Sequence, residues 1–211
     1  DLVSLEEAQH RIRLRMNHEP CVSITFDDGY ADNCRHALPL LIAEQVPCTY
    51  FVTTKQVLEG VPFEHDLRMG NHLAPNTIDE LRELAAAGIE IGAHTRTHAD
   101  LGATTDSAVL RDEVVTAGEE LQAALGRSVR YFAFPYGQHR NLNAAAFHMA
   151  YEAGYEAACS AYGGYNYPGD DDCHIQRIGV DGPTIRLRNW IAGDPVKEHR
   201  TRRFFYGVDA P

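Results

Sequence analysis

The sequence lacks the features that mark several large classes of protein. No stretch comes near the roughly 18 consecutive apolar residues that a membrane-crossing helix needs, and no signal peptide is visible at its start. Cations are outnumbered: 19 Lys and Arg stand against 30 Asp and Glu, a formal charge of −11. Binding to nucleic acid needs Lys and Arg concentrated on one face, so that class is set aside. The one basic cluster, Arg200, Arg202 and Arg203 beside Glu198, reads as a solvated tail. Paired cysteines are lacking too. Cys21, Cys34, Cys48, Cys159 and Cys173 are odd in number, widely spaced and without a Cys-x-x-Cys. That excludes a disulfide framework and a thiolate zinc site. Cys21, Cys48 and Cys159 lie in or beside apolar runs and read as small buried hydrophobes, a pattern that favours a reducing compartment. The chain starts at Asp1, so a leader or further domain could have been removed; an envelope or secreted location stays open. The oligomeric state is not legible.

What is present is an ordinary globular composition, 44% hydrophobic and 23% charged over 211 residues, enough for one domain with a sizeable core. Apolar runs alternate with helical patterns. Strands are expected at 21–26, 48–52, 89–91, 129–134, 155–160 and 175–180. Helices are expected at about 32–44, from a Thr77/Glu80 capping box to Gly88, over 107–125, from about Asn141 to Ala153, and over 184–191. Such alternation indicates β/α units, and the six or seven strands countable, about seven at most, are too few for a complete (β/α) barrel. The expectation is an α/β fold, a distorted and incomplete (β/α) barrel, forming a single catalytic domain over 1–211. A helical extension would occupy about 1–18 and a tail about 195–211. The stretches 60–76 and 162–173 read as long loops able to shape a binding site.

Three motifs each follow a strand. In Thr25-Phe26-Asp27-Asp28-Gly29, adjacent carboxylates repel, so a bland role is hard to assign. Neighbouring strand side chains point to opposite faces, yet a turn at Gly29 could swing both into the cleft at the strand ends. An Asx-turn or a helix cap is the competing reading. In His94-Thr-Arg-Thr-His98, two imidazoles four apart can meet on one metal. Two imidazoles and a carboxylate are a ligand set of hydrolytic zinc, whose bound water has a pKa of about 7. The second Asp of the pair then stays free as a base. In Phe132-Ala-Phe-Pro-Tyr-Gly137, Pro135 and Gly137 set a turn. It would aim a backbone N–H, such as that of Tyr136, at an oxyanion, or simply terminate the strand.

Together the three motifs resemble those of the polysaccharide deacetylase family, carbohydrate esterase family four (the NodB-homology domain). Their order matches over about 110 residues, and Tyr30-Ala-Asp32-Asn33 and Pro47 to Val52 are similar as well. The resemblance implies removal of acetyl groups from a carbohydrate with one divalent ion, zinc foremost and cobalt, nickel or iron also suited to the site. It implies Asp27 as base, Asp28, His94 and His98 as ligands, and Tyr136 as oxyanion donor through its N–H. Pro135, His65, Asp66 and His139 are candidates to line the substrate groove, and Tyr162 to Tyr167 to stack on sugar rings or pack the loop.

Two departures stand out. Many members carry an Arg two residues before the motif-three proline, where it holds the catalytic Asp; here that position is Ala133, and Arg130 is five residues before Pro135. The late Leu-x-His that protonates the leaving group is also not evident, with Ile185-Arg-Leu-Arg-Asn-Trp190 in its place. The late histidines are His174, at the wrong end of its strand for the site, and His199, in the charged tail. Hydrolysis of N-acetyl groups is the leading reading and hydrolysis of O-acetyl esters, as in acetylated xylan, the next. A non-catalytic carbohydrate-binding module would be expected to have lost one of these residues. An aspartate-nucleophile phosphatase uses Asp-x-Asp instead.

Overall fold

The computed structural model describes residues 1–17, 19–180, 182–200 and 202–207, with backbone only at 199 and 200. His199 as a candidate acid therefore falls outside the described side chains, as does Arg200. In chain order the first elements are α1 (Leu5–Arg13), β1 (Ile24–Phe26), α2 (Ala37–Ala43), β2 (Cys48–Val52), α3 (Thr54–Glu59) and α4 (Glu64–Arg68). Then come α5 (Ile78–Ala86), β3 (Glu90–Ala93), α6 (Ser107–Arg111), a π turn (Asp112–Thr116), α7 (Ala117–Leu125), β4 (Tyr131–Ala133) and α8 (Ala144–Glu152). The last are β5 (Ala157–Cys159), β6 (His174–Ile175), α9 (Thr184–Ile191) and α10 (Pro195–Arg200).

All six strands are parallel and pair in sequence order, β1 to β6, giving a curled half-barrel. The expected incomplete barrel is thus present, with six strands among the described residues where six or seven were countable in the sequence. The expected strand at 175–180 is reduced to His174–Ile175, and the Asn166 side chain bonds both N–H and C=O of Gln176, capping the free sheet edge just beyond it. The helix expected over 32–44 is a 3₁₀ segment followed by α2, divided at His36, whose φ of −133° is not helical.

β2 reads Cys-Thr-Tyr-Phe-Val and is buried throughout, as a central parallel strand must be when both faces are covered. Its alternation separates two cores. Tyr50 and Val52 face the outer layer with Phe132, Leu81, Leu121 and Phe147; Phe51 faces the concave side with Tyr131, Ala133, Cys159 and Ile175. The concave side is tight: a Cβ on Gly92 would lie 2.5 Å from the Phe51 ring. Leu5 of α1 joins the inner core, and Gln9 bonds the carbonyls of Glu156 and Asp172 just ahead of β5 and β6. The first helix therefore closes the N-terminal end of the sheet and leaves its C-terminal rim open.

Two expectations need correction. Cys21 is only half-buried, unlike Cys48 and Cys159, because residue 21 lies ahead of β1. The C-terminal segment is not simply solvated: Arg203 meets Asp170 at 2.8 Å, and Tyr206 is buried, stacked on Phe147 at 4.3 Å. All five cysteines are free. Among the described residues no helix is long and apolar enough to cross a membrane.

Candidate active site

β1 ends in Phe26 and the chain turns at once. Asp28 has φ 76° and Gly29 φ 92°, two successive left-handed residues that break the strand's alternation. Asp27 and Asp28 consequently face one imidazole. The Nε2 of His94 is 3.4 Å from Asp28 Oδ1 and 3.9 Å from Asp27 Oδ2, and the Nε2 of His98 is 3.1 Å from Asp28 Oδ1. The turn supersedes the capping alternative for these aspartates.

His94 leaves the end of β3 and is almost fully buried. Its Nδ1–H donates to the carbonyl of Ala133 at 2.8 Å; a carbonyl only accepts, so this contact fixes the tautomer and leaves the Nε2 lone pair facing the cleft. The ligand atoms of Asp28, His94 and His98 all lie within 4.8 Å of one another. Bonds of about 2.0–2.1 Å in a tetrahedral zinc site put ligand atoms roughly 3.3 Å apart, close to the 3.4 and 3.1 Å separations here. The donor set therefore fits a divalent ion of the zinc class.

The partner of Asp27 is Arg177, a residue that sequence reasoning missed. It stands just beyond β6 and grips both carboxylate oxygens, Nη1 to Oδ1 at 2.6 Å and Nη2 to Oδ2 at 2.9 Å. Nη1 also reaches Thr25 Oγ1 at 3.0 Å, Nε bonds the Ser160 carbonyl, and the guanidinium lies over the Phe51 ring at 5.0 Å. An Arg flanked by Ile175 and Ile178 in an expected strand (Ile175-Gln-Arg-Ile178) requires a partner once it is buried, and that was the available signal. Arg130 is occupied elsewhere, with Glu90, Glu6 and Glu156.

Burial pushes the Asp27 carboxyl upward, but Arg177 and then His94 outweigh it and hold the group below the usual carboxylate range. Asp28 is likewise depressed: desolvation opposes, while the adjoining imidazoles of His94 and His98 prevail. Two adjacent carboxylates thus stay ionised because each has its own cationic or donor partner.

The remaining candidates divide. His65 of α4 faces the cleft, its ring 6.2 Å from that of His98 and its Nε2 3.4 Å from the Tyr30 hydroxyl. Asp66 is buried and accepts from the Tyr30 hydroxyl at 2.7 Å, so it holds Tyr30. The segment 60–76, expected as loop, contains the short helix that carries both. Pro135 is buried; Tyr136 (φ 62°) is exposed, with its ring 5.0 Å from His98. His139 packs with Tyr162 and Phe204. Tyr162 and Tyr165 are engaged in packing, the former accepting from Phe204 N–H and the latter donating to Trp190 C=O. His174 is buried against Ser160 Oγ at 2.9 Å, among Phe147, Tyr162 and Tyr206.

The sequence profile described as polysaccharide deacetylase matches residues 15–158. The chain belongs to that family. A chitooligosaccharide deacetylase of Bradyrhizobium sp. (strain ANU 289) is 32% identical over 118 residues, 55% of this chain and 46% of that protein. The chain spans less than half the length of the first curated relatives it matches. Among solved structures, IcaB from Ammonifex degensii superposes with a TM-score of 0.73 at 23% identity, covering 92% of this chain and 82% of IcaB. The Streptococcus pyogenes deacetylase PplD, solved in complex with acetate, gives 0.66 at 22%, covering 83% and 72%. These two likenesses establish the half-barrel fold of the family.

Proposed function

We propose that the chain is a metal-dependent hydrolase that removes acetyl groups from N-acetylated sugar units of a poly- or oligosaccharide. One observation carries this reading: an Asp28–His94–His98 donor set with a second, separately clamped carboxylate, Asp27, at its edge. When bound, a divalent ion, zinc first by donor type, would polarise the acetyl carbonyl and acidify the attacking water. Asp27 accepts the water's proton, kept ionised and aimed by Arg177. The Tyr136 N–H donates to the oxyanion of the tetrahedral intermediate. His65, an imidazole in the cleft outside the donor set, delivers a proton to the departing nitrogen. Tyr30, Asp66 and Pro135 shape the groove around it, with His139 further along the rim.

Hydrolysis of O-acetyl esters is the second reading. It is favoured by the burial of His174, which removes one of the two late histidines from the chemistry; an alkoxide leaves with less help from an acid than an amine does. The test is acetate release, with added zinc, cobalt, nickel or iron, from N-acetylglucosamine oligomers and from acetylated xylans. Release from the oligomers is expected. Release only from xylan would select the ester reading, and release from neither with every metal would turn the case toward a carbohydrate-binding module.

A further inference from the structure

The segment that carries both imidazoles, 94–98, holds an unfavourable shape. Thr95 has φ 60° and His98 φ 64°, left-handed values that strain non-glycine residues and persist only where the surroundings impose them. Two groups of contacts impose them here. On one side, the carbonyls of Thr95 and Arg96 accept from the N–H groups of Thr54 and Lys55, at 3.2 and 2.8 Å. On the other, the N–H groups of Arg96 and Thr97 converge on one oxygen of Glu113, at 3.0 and 2.9 Å, while the Thr97 hydroxyl donates to the second oxygen. Glu113 is only 5% exposed and sits in the π turn that interrupts the helix between α6 and α7. Such widened turns often accompany functional sites. The Arg96 side chain, which could have met this carboxylate, pairs instead with Glu120 and Asp112.

We infer that Glu113 is a positioning residue for the metal centre, setting metal affinity through the backbone of Arg96 and Thr97. The inference rests on the ligand set proposed above. Thr97 is bonded directly to His98, so the two N–H bonds to Glu113 fix the Thr95–Arg96 and Arg96–Thr97 peptide planes that lead into His98. Charge-assisted bonds to a carboxylate are about twice as strong as neutral ones. Without Glu113, two backbone N–H groups lose their shared acceptor, and the strained loop is free to relax to ordinary φ values that carry His98 Nε2 away from Asp28 and His94 Nε2. Metal binding would then have to restore the strained shape, and affinity falls by that cost. A glutamine can still offer one oxygen to both N–H groups and direct its amide toward the Thr97 hydroxyl, so it should retain much of the geometry.

Zinc affinity, measured by competition with a chromophoric chelator, and the visible absorption of the cobalt-loaded protein test this without reference to turnover. Glu113→Ala is expected to weaken zinc by about 10–100-fold, the usual cost of losing an outer-shell partner, and to alter the cobalt spectrum. Glu113→Gln should recover most of the affinity, to within about tenfold of wild type, with the spectrum still displaced. Arg130→Ala, which breaks an ion cluster away from the donor set, lowers stability but leaves zinc affinity unchanged. A purely structural Glu113 would behave like Arg130: lower melting temperature, wild-type zinc affinity and spectrum, and that result overturns the inference. If the alanine variant fails to fold, the glutamine variant decides, since wild-type affinity and spectrum in it overturn the inference equally. A wild-type chain that binds neither ion, or a His98→Ala variant that binds as tightly as wild type, refutes the ligand set itself and is distinguishable from a failure at Glu113.

Discussion

Arg177 and Asp27, 150 residues apart in sequence, meet through two parallel N–H···O bonds of 2.6 and 2.9 Å. The first strand supplies the carboxylate and the segment after the sixth supplies the guanidinium, so the pair spans the open seam of the half-barrel. Where many members of the family hold this aspartate with an arginine ahead of the motif-three proline, this chain has Ala133 there and supplies the cation from the far edge of the sheet.

Replacing Arg177 should therefore act through Asp27. In Arg177→Gln the desolvation of Asp27 is no longer opposed by its main counter-charge, and its pKa rises. The base stays protonated to higher pH, so the acid limb of kcat/KM moves to higher pH. Activity near neutrality falls by about 10–100-fold, the usual range for an outer-shell partner. Arg177→Lys keeps the charge but loses the planar fork, and its acid limb should lie between the two. A pH–rate profile of Arg177→Gln superimposable on wild type would refute a role in tuning the base.

Metal binding and turnover should separate between Asp27 and the donor set of Asp28, His94 and His98. Asp27→Asn keeps Asp28, His94 and His98 intact, so zinc is retained while turnover drops by about 10²–10⁴-fold, the contribution of a general base. His98→Ala loses both. Metal content after dialysis, measured alongside acetate release, checks the pair. Full activity in Asp27→Asn would remove it as the base.

How much of this was legible in sequence follows from how local each interaction is. Asp27-Asp28, His94-x-x-x-His98 and the turn at Pro135 to Gly137 are short-range signals at strand ends, and strand ends are where such a fold gathers its sites. The Thr77/Glu80 capping box was legible for the same reason: its partners lie within a few residues. Arg177 was not legible, because its partner is set by the curl of six strands. Glu113 was not legible either, since the regular apolar stripe of Leu110, Val114, Ala117 and Leu121 gives no hint of the π turn that presents it. His65 was placed in a loop because 60–76 is rich in turn-forming residues, and the short helix α4 depends on tertiary packing of Phe63 and Asp66 for its stability.

His65 should matter more when the leaving group is poor. An amine must be protonated to depart, whereas an alkoxide tolerates a weaker acid. His65→Ala is expected to lower kcat on N-acetylated oligomers by about 10²-fold or more, and on an O-acetyl ester by less than tenfold. Equal losses on the two substrates would leave His65 a binding residue only.

His174 should make stability, rather than catalysis, sensitive to mild acid. Burial, then Arg203 and His139, push its pKa down to about 3 from 6.5. Between pH 6.5 and about 3 the unfolded chain takes up a proton that the folded chain refuses, so stability falls as pH falls through that window. At pH 4.5, two units below the unfolded value, the loss amounts to about 2–3 kcal/mol. His174→Gln cannot titrate; it begins less stable at pH 7 because a packed ring is removed, but its further loss on going to pH 4.5 should be smaller by that amount. Urea unfolding of both proteins at the two pH values measures the difference. Parallel losses would mean that His174 accepts its proton in the folded state, and that the Ser160 contact and the aromatic packing around the ring leave its titration unperturbed.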